Sequence, residues 1–272
     1  MMFMNKLPTL CVSISKNPSN FGHIVHNAGY RELGLNYYYV PFKIDDLESA
    51  IISIRTLGIR GCGVSMPFKE KIISLLDELD PTVKKIKSVN TVVNEKGILK
   101  GYNTDVIGSL EAVKRCHVES NDKILVLGSG GVTRAILFAL KKLNLKKIFV
   151  CSRNSEAKSI LKKEFGVDTL SWEKRNEFKG DFLINSTPIG MNSLDQPPIV
   201  EEAIKRFGKV MDVVVSHNES KLIEIAKKNK SEVSDGKVMS LYQAAEQFRL
   251  YTGIPAPINT MKKAFETYQE KI

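Results

Sequence analysis

The sequence has little of what marks a membrane, secreted or metal-dependent protein. No stretch of its 272 residues approaches the roughly 18 consecutive apolar residues of a membrane-spanning helix. Its start, MMFMNKLPTLCVSISKNPSN, lacks a charged segment leading into an apolar one and a small-residue cleavage site, so the chain is read as cytoplasmic. Cysteine is sparse: Cys11, Cys62, Cys116 and Cys151 lie far apart, mostly inside apolar runs, with no CxxC pair. They read as buried free thiols. The four histidines, His23, His26, His117 and His217, form no HExxH or HxH pattern, and no metal is expected. Internal repeats and low-complexity tracts are absent as well.

What is present is an ordinary globular composition, 43% hydrophobic, in a length that suits two modest domains or one large one. Lysine and arginine exceed aspartate and glutamate by 40 to 30, a net charge of +10. The excess is scattered over KRCHVESNDK, KKLNLKK, KKNK and MKKAFETYQEKI, which read as solvated faces without the interleaved aromatics on which single-stranded nucleic acid stacks. No nucleic-acid partner is expected, and an anionic small molecule fits the charge equally well.

Strand-like runs alternate with helical ones, which predicts an α/β protein with mainly parallel pairing. LCVSIS, NYYYVPF and GCGVSM are the first strands, separated by the helical segments HNAGYRELG and DDLESAIISIRTLG. SVNTVVNEKGILKGYNTD reads as a hairpin about an Asn-Glu-Lys-Gly turn, followed by the helix VIGSLEAVKRC. At KILVLGSGG the pattern restarts, placing a domain boundary near residues 105 to 122. Further strands are KKIFVCS, DFLINST and KVMDVVV, and two helices, KVMSLYQAAEQFRLYTG and NTMKKAFETYQEK, flank a Pro-rich loop.

In KILVLGSGGVTRAILFAL, Gly128, Gly130 and Gly131, with Ser129 and Val132, stand between an apolar strand and a long helix. Backbone N–H groups at such a helix start can hold a pyrophosphate; a tight turn that binds nothing is the alternative. Thr133 stands where GxGxxG has its third glycine. The next strand ends in Ser152, Arg153 and Asn154, with Lys158 one turn on and no carboxylate before Glu156. A guanidinium here favours the 2′-phosphate of NADP over the bare ribose of NAD, unless Arg153 is simply an exposed surface residue.

VSMPFKE, residues 64–70, ends an apolar run. Pro67 suits the first position of a helix formed by KEKIISLLDEL, which puts Lys69 near a helix N-terminus. The macrodipole disfavours a positive charge there by up to about 1 kcal/mol, so the lysine asks for a reason. Taken singly, Lys69 could be a solvated lysine and Asp105 a cap for VIGSLEAV.

VSMPFKE, SVNT, GYNTD, GSGGVTRA, NSTPIGM and SLYQAAEQF, in this order, resemble the shikimate dehydrogenase family over nearly the whole chain. The family patterns are VTxPFK, AVNT, GxNTD, GAGGxxxA, NATSxGM and QAAxxF; NPSNFG with SMPFK looks closest to the shikimate dehydrogenase-like branch. The resemblance implies a substrate-binding catalytic domain over 1–105, a Rossmann NADP-binding domain over 106–238, and C-terminal helices over 239–272 that return to the first. It implies hydride exchange between NADP and shikimate, or a related cyclic polyhydroxy acid, with Lys69 and Asp105 as the catalytic pair. Quinate dehydrogenation, or a catalytically weak NADP-binding regulatory module, are the alternatives.

By the same resemblance Ser19, Ser65, Asn90 and Gln243 contact substrate. Gly128, Ser129, Gly130, Gly131, Val132, Ser152, Arg153, Asn154, Thr187 and Gly236 hold NADP, with Met191 and Asp235 near the nicotinamide. A monomer or homodimer is expected. Two departures stand out. The family segment HSxSPxxH, whose serines bind the substrate carboxylate, corresponds to KNPSNFGHIVH, where only Ser19 matches a serine, or Asn20 and Gly22 replace both. The family tyrosine after the aspartate in MDVVVSHNESK is Val215.

Overall fold

A computed structural model describes residues 7–192, 196–215 and 219–269; His217 and the first six residues, which enter the reading above, lie outside them. The chain divides into two compact units, one formed by the chain up to Thr104 together with the chain from Leu241 onward, the other by Asp105–Ser240. Among the described residues no helix is long and apolar enough to cross a membrane.

The first unit holds six strands, β1 (Thr9–Ser15), β2 (Tyr37–Lys43), β3 (Gly61–Val64), β4 (Glu78–Leu79), β5 (Thr91–Glu95) and β6 (Ile98–Tyr102), in the order β2-β1-β3-β5-β6-β4. β1 runs parallel to β2 and β3; β5 is antiparallel to β3 and β6. The β5–β6 hairpin closes at Lys96 and Gly97, both at positive φ, the geometry of the tight turns that suit twisted strands. Helices α1 (Phe21–Glu32), α2 (Leu47–Thr56) and α3 (Pro81–Ile86) belong to this unit. Asp46 caps α2 through Glu48 and Ser49, and Asp80 caps α3 with Pro81 behind it. The helix α10 (Ile258–Gln269) packs on α1, with Phe21 edge-on to Phe265 at 4.8 Å.

The second unit begins with α4 (Asp105–Lys114). Its sheet comprises β7 (Ile124–Leu127), β8 (Ile148–Ser152), β9 (Asp168–Ser171), β10 (Phe182–Asn185), β11 (Lys209–Asp212) and β12 (Glu232–Ser234), in the order β12-β11-β10-β7-β8-β9 with every pair parallel. That is the doubly wound nucleotide-binding order, reversing between β7 and β10. Helices α5 (Gly131–Lys142), α6 (Ser155–Phe165), α7 (Glu201–Ile204) and α8 (Lys221–Lys228) complete it, and α9 (Gly236–Thr252) runs from this unit into the first. Alternate residues go to opposite layers: Ile124, Val126, Phe182 and Ile184 to one core cluster, Leu125, Leu127 and Leu183 to the other. Each such side chain contributes about 1.5–3 kcal/mol by leaving water.

The α/β class, the hairpin and the glycine-turn strand appear as expected. KEKIISLLDEL does not form an α-helix. Residues 66–70 are turns, with a cis Met66–Pro67 peptide bond, Lys71–Leu75 is a short 3-10 helix, and β4 follows. The physical reason lies in Asp77, whose carboxylate takes the Leu99 N–H at 2.6 Å and an Arg55 guanidinium at 2.8 Å, while its own N–H donates to the Leu99 carbonyl. Those bonds fasten the segment to β6 and end any helix. Pro67 is therefore not the first residue of an α-helix, and Lys69 precedes a short 3-10 turn instead of standing at an α-helix N-terminus. The short strands β4, β9 and β12 were not foreseen, because two to four residues carry no readable period. All four cysteines are free and buried; burial pushes Cys151 up to about 11 and Cys116 to about 12, which keeps both thiols protonated and inert.

Candidate active site

In the first unit the backbone around Lys69 is pinned on both sides. Phe68, 4% exposed, is buried in the apolar cluster beneath β3, and the Lys69 carbonyl accepts the Val89 N–H at 2.8 Å. Lys69 itself is half-buried. Ser65, four residues before it, is exposed, its N–H bonded to Ile14 and its carbonyl to Phe68.

Val89 leads into Asn90, whose buried carboxamide works in both directions. Its Oδ1 accepts from the Thr104 N–H at 2.7 Å and the Thr91 hydroxyl at 2.7 Å, and its Nδ2 donates to Thr104 Oγ1 at 3.0 Å and Gln243 Oε1 at 3.3 Å. Asp105 is the next residue after Thr104, opens α4, and is 5% exposed. The structure thus brings Asn90 and Gln243 into contact. Ser19 lies exposed in the turn before α1 and makes no contact with either among the described residues. Its neighbour Asn20 donates to the Tyr268 hydroxyl at 3.3 Å.

Behind Asn90 lies a layer that the sequence reading missed. Gln247, 4% exposed, donates to Thr91 Oγ1 at 3.0 Å and to the Asn90 carbonyl at 3.3 Å. Its Oε1 meets His26 Nε2 at 3.4 Å, which assigns the ring proton to Nε2, since an amide oxygen only accepts. Full burial holds the His26 imidazole down at about 3, so it is neutral, and it stacks on Tyr39 with ring centroids 4.4 Å apart. The Tyr39 phenol bonds Ser13 and fills the space that side chains at Gly22 and Gly63 would need. One signal was available: Gln247 follows Gln243 by four residues in one helix, so the two share a face.

In the second unit β7 ends at Gly128, held at φ +121° in a region only glycine occupies comfortably; a Cβ there would lie 2.6 Å from Ser186 Oγ. Thr133, at the third glycine position, is fully buried and pairs with Ser186 at 2.8 Å, while Ser186 donates to the Leu127 carbonyl. The threonine thus secures the turn by a hydroxyl pair across to the residue after β10. Gly130 caps α5 without any side-chain bond to the first N–H groups, and a Cβ built on it meets nothing within 4 Å. Gly131 and Val132 open the helix. Ser129 and Ser152 face each other at 2.8 Å across the ends of β7 and β8.

Asn154 spends its side-chain oxygen capping α6 through Ala157, and the Lys158 ammonium donates to the Leu170 carbonyl at 3.0 Å. Arg153 is exposed, over the ring of Trp172. Thr187 donates to Asn185 Oδ1 at 2.7 Å and accepts from the Ile189 N–H; Met191 is half exposed. Gly236 opens α9 against the carbonyls of Val213 and Val214, where no side chain fits, and Asp235 reaches the Val238 N–H at 3.3 Å.

Also missed was Asp212. It is 1% exposed and accepts from Asn185 at 3.0 Å, Val214 at 3.1 Å and Ser220 at 2.6 Å. Burial pushes its carboxyl up to about 6 despite those three donors, with the Asp235 charge adding to the effect.

An uncapped helix start with room beside Gly130, and a guanidinium at the end of the next strand, fit a dinucleotide carrying a 2′-phosphate. The amides and hydroxyls around Asn90 fit a polyol.

The profile described as "Shikimate dehydrogenase substrate binding domain" matches residues 14–92, and "Shikimate 5'-dehydrogenase C-terminal domain" matches residues 238–264. A shikimate dehydrogenase-like protein of Haemophilus influenzae is 38% identical over 252 residues, 92% of each chain. The chain belongs to the shikimate dehydrogenase family. A family member from Pyrococcus abyssi, shikimate dehydrogenase (NADP(+)), is 37% identical over 88% of this chain and 90% of its own. The structure of Thermus thermophilus shikimate 5-dehydrogenase in complex with NADP(H) and shikimate superposes with a TM-score of 0.85 at 29% identity, covering 95% of this chain and 98% of that one.

Proposed function

We propose that this member of the family is an NADP-dependent oxidoreductase that interconverts shikimate, or a closely related cyclic polyhydroxy acid, with its 3-dehydro form. The observation that carries the reading is the tethering of both acid–base candidates to one short segment. Val89 holds the chain at Lys69, and Asn90 holds it at Thr104, directly before Asp105. Two titratable groups fixed by neighbouring residues of one strand entry can be held to the same reacting hydroxyl.

NADP+ supplies the hydride acceptor. As the alcohol carbon loses hydrogen with its electron pair, Lys69 takes the hydroxyl proton, and the carbonyl forms; in the reverse direction Lys69 returns it. Asp105 holds the lysine amine in place. Ser65, Asn90 and Gln243 orient the ring hydroxyls, with Ser19 at the carboxylate end. The turn Gly128–Val132 would hold the pyrophosphate, Ser152, Arg153 and Asn154 the adenosine end, and Thr187 and Gly236 the nicotinamide end. The enzyme acts in the cytoplasm as a monomer or homodimer on a small anion, without nucleic acid.

A second reading, quinate or another ring acid as substrate, is favoured by the changed anchor: Asn20 is engaged with Tyr268, and Val215 offers no hydroxyl. The deciding experiment offers shikimate and then quinate to the purified protein with NADP or with NAD and follows the reduced cofactor. Saturable turnover of shikimate with NADP is expected. NADP binding with no turnover of either acid would leave a nucleotide-binding regulatory module instead.

A further inference from the structure

Trp172 is the one tryptophan of the chain and opens the short 3-10 helix Trp172–Asn176 after β9. Two guanidinium groups sit over its ring, Arg175 at 4.4 Å and Arg153 at 5.8 Å from the centroid. They are anchored differently. Arg175 donates through Nε to the Pro198 carbonyl and through Nη1 to the Trp172 carbonyl, both at 2.8 Å, so it is part of the local scaffold. Arg153 is exposed and makes no hydrogen bond or ion pair among the described residues. Its N–H donors are unspent, and the indole face is what locates it.

The place matters. Arg153 follows Ser152, whose hydroxyl meets Ser129 of the glycine turn, so it stands where the adenosine ribose of a bound dinucleotide ends. The other cation on that edge, Lys158, is turned to Leu170. An exposed arginine loses rotamer freedom when it clamps a ligand; a stacking surface takes that loss in advance. Two like charges on one ring also repel each other, and a dianion beside them relieves the repulsion.

We propose that Trp172, backed by Arg175, is a positioning residue for 2′-phosphate recognition: the indole holds Arg153 at the end of β8 with its donors free for the phosphate. The inference rests on the NADP reading above and adds the residues that set the preference for NADP over NAD.

The test uses adenosine 2′,5′-bisphosphate and adenosine 5′-monophosphate, which lack the nicotinamide and so bypass turnover and substrate. Calorimetry on the intact chain gives both affinities, and Trp172 emission is the second readout. The wild type is expected to prefer the bisphosphate and to change its emission saturably on binding it. Arg153→Leu should remove at least about tenfold of that preference. Trp172→Leu should weaken the bisphosphate by about threefold and leave the monophosphate alone, while Trp172→Phe, which keeps an aromatic face, should restore most of the loss. Combined with Arg153→Leu, Trp172→Leu should cost nothing further, because it acts through that arginine.

Equal weakening of both nucleotides, or additive losses in the double variant, would reduce Trp172 to a structural role and overturn the proposal. Arg153→Leu, at an exposed position, must also shift the emission of the unliganded protein. An unchanged spectrum would mean that ring and guanidinium do not meet in solution and would overturn it without touching Trp172. A wild type with no preference for the 2′-phosphate would bring down the NADP reading and this inference together; a preference left undiminished by Trp172→Leu brings down the inference alone.

Discussion

In the second unit both faces of the sheet are covered by aliphatic and aromatic side chains, and the residues suited to a nucleotide are mainly glycines and backbone at strand ends. In the first unit one face is aliphatic, while the other, beside the buried rings of Tyr30, Tyr39, Phe248 and Tyr251, carries a connected set of polar groups running from His26 through Gln247, Thr91 and Asn90 to Thr104 and Gln243. A cofactor common to many enzymes can be held by main-chain geometry that many sequences can build. A hydroxylated ring has to be told from its near relatives, and that takes side chains with directional donors and acceptors, each desolvated and each in need of a partner.

This contrast can be broken at several points. The largest effect should come from acid on the first unit. His26 is neutral in the fold and held down at about 3, against 6.5 in a free chain, so its contribution is full above pH 6.5 and is lost as pH falls toward 3. Roughly 4–5 kcal/mol is at stake. Urea unfolding of the wild type against His26→Phe should show the variant's stability falling less across that window; parallel curves would show that the buried imidazole is not what fails in acid.

Next, Lys69→Ala should lower turnover about 10²- to 10⁴-fold with the NADP dissociation constant unchanged. Equal losses in both would remove the lysine from the chemistry and leave it a structural residue of the first unit.

The second unit's titratable weakness has the opposite sign. Asp212 is raised to about 6 from 3.8, so the folded chain prefers the protonated carboxyl and stability is lost as pH rises from about 4 to 6. Between pH 4 and 7 the wild type should lose roughly 2–3 kcal/mol relative to Asp212→Asn, read from melting curves. A constant difference would show that the three hydrogen bonds offset the burial.

The smallest and sharpest comparison lies within the glycine turn. Gly128→Ala should cost about 1–3 kcal/mol of stability, because both φ and the Ser186 hydroxyl oppose a Cβ. Gly130→Ala should leave the melting temperature nearly unchanged and weaken NADP about tenfold or more, because the methyl enters open space where the phosphates approach. If both variants lost stability alike, the open space at Gly130 would not be a nucleotide cradle.

Much of this was legible because local patterns carry it. The apolar tetrapeptide ILVL followed by glycines announces β7 and its turn, and the Lys96-Gly97 pair announces the hairpin. The helix over KEKIISLLDEL was misread because its apolar spacing is helical while its fate is decided by Asp77 bonding to β6, a contact 22 residues away in sequence. Asn90 and Gln243 stand out by motif, and Arg153 by its place at the end of the strand after the glycine turn. Gln247, His26, Asp212 and Trp172 do not, since each acquires its meaning only from partners brought in by the fold, Gln247 by Thr91, which lies 156 residues away.

The division of the chain also sets an order of assembly during synthesis. Residues 105–240 emerge as one continuous stretch and can close their own core, while the first unit waits for the segment from Leu241 onward. Until that segment leaves the ribosome, Asn90, Thr91 and His26 lack the glutamines that satisfy them, and Tyr30 lacks the Phe248 ring that rests 5.0 Å from its own. A nascent chain therefore completes the unit suited to a nucleotide well before the one suited to a substrate, and a product stalled or clipped before Leu241 would keep the former while leaving the latter without Gln243, Gln247 and Phe248.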